Sequence, residues 1–200
     1  MVEQVRWPLI GTLLLALVSS VPAQAQQWRE VRVKDGLVLM SRKVAGERFP
    51  EFRIRATTPT SVGRLASYLM GRSIDEADPG IERTIVERSP RSATFTDLIR
   101  TPVISDRCAT SRVVRKNGEH DSVELVFTSG GEWPRGKPTE RCVPLRAHGS
   151  WILKPLKSAT ELTYTIFADP GGNLPVFLVR GMIEDDALNR VRHVLSEAAK

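Results

Sequence analysis

The sequence predicts an α+β fold: one curved antiparallel sheet covered by a long C-terminal α-helix. Three observations carry this. Short segments rich in β-branched and aromatic residues follow one another, separated by compact turns. An amphipathic stretch of about twenty residues closes the chain. The composition is that of an ordinary globular protein, with 200 residues, 41% apolar and 26% charged, enough for a single domain with a sizeable core. Two cysteines exclude a disulfide-dense scaffold, and 14 glycines and 13 prolines exclude a collagen-like or low-complexity chain. A net charge of +6 suits an acidic surface such as anionic lipid. It is too mild to indicate nucleic acid, so no nucleic-acid partner is expected.

Residues 1–25 read as a secretory signal peptide. Arg6 forms a short basic start, Leu9 to Val18 is a charge-free apolar run, and Ala23-Gln24-Ala25 places small residues where signal peptidase cuts. Cleavage there leaves residues 26–200 as the mature domain, with the periplasm as its destination. An uncleaved anchor is the competing reading, but the run falls short of the ~20 residues that span a bilayer. In an oxidising compartment Cys108 and Cys142 tend to pair, and two buried free thiols are the alternative. Neither cysteine lies in a C-x-x-C or near a histidine, so no metal site is expected.

Along the mature chain, Trp28–Val33 alternates weakly and fits a strand or a short helix. Asp35-Gly36 is a turn, and Leu37–Arg42 is a strand. Glu51–Ala56 alternates charged and apolar residues, the period-2 mark of a half-buried strand, and pairs with Leu37–Arg42 across Val44–Pro50. Thr58-Pro59-Thr60-Ser61 reads as a helix start with proline in the first turn. Val62, Leu65, Ala66 and Leu69 then form one helix face, and Ser73–Gly80 is a polar loop. Strands follow at Arg83–Arg88, Ala93–Ile99, Ala109–Arg115, Val123–Thr128, Ala147–Leu153 and Glu161–Ala168, with an exposed loop over Glu132–Val143. After Leu174-Pro175, Val176, Val179, Ile183, Ala187, Leu188, Val191, Val194 and Leu195 recur at helical spacing. That stripe is the obvious cover for the sheet's apolar face.

Catalytic constellations are sparse. His120, His148 and His193 show no metal-ligand spacing. His120 sits beside a turn, and His193 falls in the last turns of a helix. His148 lies on a strand, where it either lines a cavity or serves as a satisfied structural histidine. Asp185-Asp186 and Asp75-Glu76 read as solvated charges, not a general acid–base pair. Asp169-Pro170-Gly171-Gly172 looks like a phosphate loop, but it lacks a following Lys-Ser/Thr and reads as a tight turn.

Several segments together resemble a known family. Trp151-Ile152-Leu153-Lys154-Pro155, Thr163-Tyr164-Thr165 and Asp169-Pro170-Gly171-Gly172-Asn173-Leu174-Pro175 are similar to the C-terminal third of START domains, the lipid-transfer domains related to steroidogenic acute regulatory protein. Pro102-Val103-Ile104-Ser105-Asp106-Arg107-Cys108 resembles the family's P-x-S-x-R-D segment, and Asp35-Gly36-Leu37-Val38-Leu39 its D-G-I-x-V-Y segment. The resemblance spans roughly residues 28–197. Cys108 stands where the family usually has aspartate, so any ion pair of that aspartate is absent. The resemblance implies a helix-grip fold, in which the sheet wraps around the C-terminal helix, and a tunnel between them that holds one lipid.

The expected function is non-catalytic binding of a lipid or other hydrophobic small molecule, with transfer as its extension, by a monomer that needs no cofactor. Alternation assigns the inward face to Ala109, Ser111 and Val113, with Arg112 outward. Val123, Leu125 and Phe127 follow, then Trp151 and Leu153, then Tyr164 and Ile166, with Val179, Ile183 and Leu188 from the helix. Each of these equally fits plain core packing. Ser111 and Tyr164 are the polar groups able to orient a head group. Some of Arg83, Arg88, Arg91, Arg100, Arg107, Arg112, Arg115 and Lys116 are expected to form a basic outer surface for transient contact with anionic membrane, and a solvated sheet face is the alternative. One rival is a helix-grip enzyme of cyclase or hydrolase type, which needs His148, Tyr164 and Arg112 to converge on one pocket. The other is a periplasmic protein-interaction module with a filled core.

Overall fold

In the computed structural model the described residues are 27–101, 104–130 and 142–200. The predicted leader, Pro102-Val103 and all but the last two residues of the loop expected over Glu132–Val143 lie outside them. The chain runs β1 (Arg29–Lys34), β2 (Leu37–Arg42), β3 (Glu51–Thr58), α1 (Val62–Met70), α2 (Arg72–Asp75), β4 (Ile81–Ser89) and β5 (Ser92–Ile99). It continues through β6 (Arg107–Asn117), β7 (Val123–Ser129), β8 (Val143–Pro144), β9 (Arg146–Pro155) and β10 (Thr160–Asp169) to α3 (Val176–Glu197). The strands form one curved sheet in the order β1-β2-β3-β10-β9-β7-β6-β5-β4. All neighbours on this path are antiparallel, and the short β8 runs parallel to β6.

The turns do what their residues allow. Asp35 and Gly36 both take positive φ, as a two-residue hairpin turn requires. Trp28–Val33 resolves as strand because its backbone pairs with β2. Both outer strands carry a bulge, at Val31 in β1 and at Val86 in β4, which interrupts edges otherwise open to pairing with another chain.

Three local expectations need correction. α1 is capped by Ser61, whose hydroxyl accepts from the Arg64 N–H at 3.4 Å, so Pro59 precedes the helix and is not in its first turn. The segment expected as a polar loop from Ser73 begins in the short helix α2, because Ile74 is buried there. The stripe of α3 starts later than expected: Val176 is exposed, and Glu184 is buried on the stripe against Arg32 of β1 at 2.9 Å.

The main core joins β2, β3, β7, β9 and β10 to α1 and the second half of α3, through Leu39, Phe52, Ile54, Leu65, Leu153, Leu162, Val191 and Val194. A smaller cluster of Phe49, Phe167 and Val179 seats the start of α3. The turn before α3 is tight, as expected. Asp169 accepts from the Gly171 N–H at 2.9 Å. Gly171 and Gly172 take positive φ, and a Cβ on Gly171 would lie 2.6 Å from the Pro144 carbonyl oxygen. Of the two readings of the cysteines, the structure holds the bonded one, with Cα atoms 5.7 Å apart. The bond ties β8, and through it that turn, to β6.

Gly149 on the inner face of β9 has a specific steric duty. A Cβ there would sit 2.6 Å from Cζ of Phe127 and 2.0 Å from the Thr165 carbonyl oxygen. Gly149→Ala is therefore expected to lower the unfolding free energy by about 2–3 kcal/mol, read by urea denaturation. An unchanged midpoint would show that the Phe127 ring does not cross this backbone.

Candidate functional site

The core does not fill the whole concave face. α3 lies over β3 and β10, against α1, and the inner surface of β5, β6, β7 and β9 faces a cavity of about 210 Å³. Sheet residues make its floor: Ser111 and Val113 from β6, Leu125, Phe127 and Ser129 from β7, Ala147 and Trp151 from β9, and Tyr164 and Ile166 from β10. Arg83, Phe95 and Asp97 close one side. Leu69 from α1, Ser73 and Ile74 from α2 and Arg190 from α3 close the other.

Of the thirteen residues assigned inward from the sequence, Ser111, Val113, Leu125, Phe127, Trp151, Tyr164 and Ile166 line this cavity. Ala109, Val123, Leu153 and Leu188 are buried in packed regions outside its lining. Val179 belongs to the cluster with Phe49 and Phe167, and Ile183 packs between that cluster and the main core. The helix positions differ because α3 covers the β2–β3–β10 side of the sheet, so its stripe is spent on core.

Three rings run along the floor. Trp151 and Tyr164 stack with centroids 4.0 Å apart, and Phe127 follows Tyr164 at 6.1 Å. Burial pushes the Tyr164 phenol up to about 12, so it stays protonated at neutral pH. At one side Arg83 and Asp97 form a two-pronged ion pair at 2.6 and 2.7 Å, with both side chains about nine-tenths buried. Arg83 also donates to the Ile74 carbonyl oxygen at 3.1 Å and lies over the Phe95 ring. The Ser111 and Ser129 hydroxyls meet at 2.7 Å across β6 and β7. At the rim Arg190 pairs with Asp78 at 2.6 Å, joining α3 to the segment before β4.

The other expected groups are placed differently. Arg112 and His148 are exposed, Arg112 where alternation put it and His148 with its ring stacked on Phe167. The three titratable groups of the enzyme reading do not converge, since Tyr164 alone among them lines the cavity. Asp185 is exposed and 3.6 Å from Arg32. Only part of the basic cluster lies on the outside. Arg83 lies inside, and Arg107 is buried and donates to the Pro170 carbonyl oxygen. Arg88 pairs with Asp75, and Arg100 with Glu82 and Asp106. Arg91, Arg112 and Lys116 are exposed, and Arg115 is half-buried. Sequence reading missed the Arg83–Asp97 pair, although one charged residue inside the apolar run Phe95–Ile99 was a usable signal for it.

A buried ion pair is destabilising to break and near neutral to replace whole. Asp97→Asn is expected to lower stability by about 3 kcal/mol or more, and Arg83→Met with Asp97→Leu to recover most of that loss. A double-mutant cycle by chemical denaturation measures both. Equal losses in the single and double variants would contradict the pairing.

No protein-family model matches the sequence, and no curated protein matches it either. Solved structures do match. A STAR-related lipid transfer protein from Xanthomonas axonopodis superposes with a TM-score of 0.75 at 16% identity, over 86% of this chain and 99% of that one. Human StAR-related lipid transfer protein 5 gives 0.69 at 18% identity, over 88% of each chain. The Zhui aromatase/cyclase from Streptomyces gives 0.52 at 16% identity, over 74% of this chain and 93% of that one. The sheet order, the long terminal helix and these superpositions agree: the chain has the helix-grip fold of START domains.

Proposed function

We propose that this chain binds one apolar small molecule in the cavity between its sheet and its helices, without catalysis, and carries it through the periplasm after export as a monomer. The observation that carries the reading is the cavity itself: an apolar, aromatic-lined hollow with a few placed polar groups, the usual make-up of a ligand site. Burial contributes about 25 cal/mol per Å² of apolar surface, so a ring system or one acyl chain gains several kcal/mol by entering. At about 210 Å³ the cavity is below the ~300–1,000 Å³ of pockets that enclose drug-sized molecules. The fitting ligand is therefore compact, and a two-chain phospholipid requires α3 to move. The non-catalytic reading is supported by the outward placement of His148 and Arg112.

The start of α3 supports exchange at a membrane. Phe177, Leu178 and Met182 are exposed beside Arg180. Arg48, also exposed, holds the carbonyl oxygens of Gly172 and Leu174 at the foot of that patch. An apolar patch flanked by cations suits an anionic bilayer.

Native mass spectrometry of protein purified from the periplasm, followed by lipid extraction, tests the reading. One ligand per chain is expected, with uptake lost in Val113→Trp while far-UV circular dichroism stays unchanged. A homogeneous ligand-free mass with no uptake of added lipid contradicts it.

A further inference from the structure

Two polar groups in the cavity wall stand apart from the others. Tyr164 and Trp151 are each more than nine-tenths buried and line the hollow. Neither the Tyr164 hydroxyl nor the Trp151 Nε1–H has a hydrogen-bond partner among the described residues. Most of the other polar groups there are taken up within the protein, the half-buried Ser73 hydroxyl and one of the two Ser111–Ser129 donors excepted. Arg83 is taken up by Asp97 and by α2 carbonyls, Ser111 by Ser129, and Arg190 by Asp78. Buried donors left without acceptors are rare in folded chains and destabilising. These two belong to adjacent strands, and their rings stack with centroids 4.0 Å apart.

The chemistry of these groups narrows the class of molecule. An indole N–H can only donate, and the Tyr164 hydroxyl is a protonated donor at neutral pH. Both charged pairs in the wall are internally neutralised, so a charged head group would find no counter-ion and would pay its full desolvation. The volume and the stacked, rigid side chains favour a compact ring body over a flexible chain.

We propose that Tyr164 and Trp151 are the polar anchor of the cavity and select an uncharged ring compound bearing a hydrogen-bond acceptor such as a ring carbonyl. This inference rests on the reading of the cavity as a ligand site.

Fluorenone and fluorene test it, because they share a planar ring body and differ in the carbonyl, with decanoate as a charged single-chain probe. In equilibrium dialysis the wild-type protein is expected to hold fluorenone about tenfold more tightly than fluorene, the worth of one buried hydrogen bond. Tyr164→Phe is expected to bring the two within about threefold, through a loss of fluorenone affinity. Trp151→Phe is expected to reduce the fluorenone preference in the same direction. Equal wild-type affinities, or a preference that survives both substitutions, overturn the anchor. Decanoate binding more tightly than fluorenone overturns the inference and leaves the ligand-site reading standing. Uptake of none of the three overturns both.

Discussion

A sheet of nine neighbouring strands, each about 4.8 Å from the next, presents a face roughly 38 Å across. One α-helix is about 10 Å wide. The mismatch between these widths is the constraint on which the rest of the molecule depends. α3 cannot cover the whole concave face, and it settles where packing is best, over β3 and β10 against α1. Ion pairs fix it there: Glu184 to Arg32, Arg192 to Asp35 and Arg190 to Asp78. The strands on the far side are roofed by α1 and α2 and by the side of α3, and the space beneath is left hollow.

That hollow explains polar groups which would be out of place in a filled core. Arg83 and Asp97 sit on paired positions of β4 and β5, where an apolar pair would have packed at least as stably. Their place inside the wall, with the Ser111–Ser129 contact and the donors on Tyr164 and Trp151 that have no partner among the described residues, gives the cavity a polar pattern as well as a shape. The same end of the molecule holds the Cys108–Cys142 bond and the close approach of Gly171 to Pro144, which together set where α3 begins.

Much of this was legible in the sequence because a strand's side chains alternate faces. Period 2 put Ser111 and Val113, Leu125 and Phe127, and Trp151 and Tyr164 on the inner face, and the sheet's curvature brought them together. The turn at Asp35-Gly36 and the glycines at 171 and 172 were readable from backbone chemistry. What could not be read was which side of the sheet α3 would choose, since helical periodicity shows a stripe and not its partner. Hence Val179, Ile183 and Leu188 were assigned to the cavity and belong to the core. Arg83 was grouped with the basic residues of which some were expected outward, because an arginine on an alternating strand looks solvated until Asp97 is seen directly opposite it on β5. Leu69, Ile74 and Arg190 entered the wall through the docking of α1, α2 and α3, which local pattern does not encode.

The proposed ligand site depends on the space that the described residues leave open between α3 and the far strands. Diffraction from crystals equilibrated with xenon measures this most directly, because xenon settles in apolar cavities and scatters strongly. An anomalous peak is expected beside Leu125 and Trp151, roofed by Leu69 and Ile74. Side chains closing that space, with no peak between helix and sheet, would contradict it.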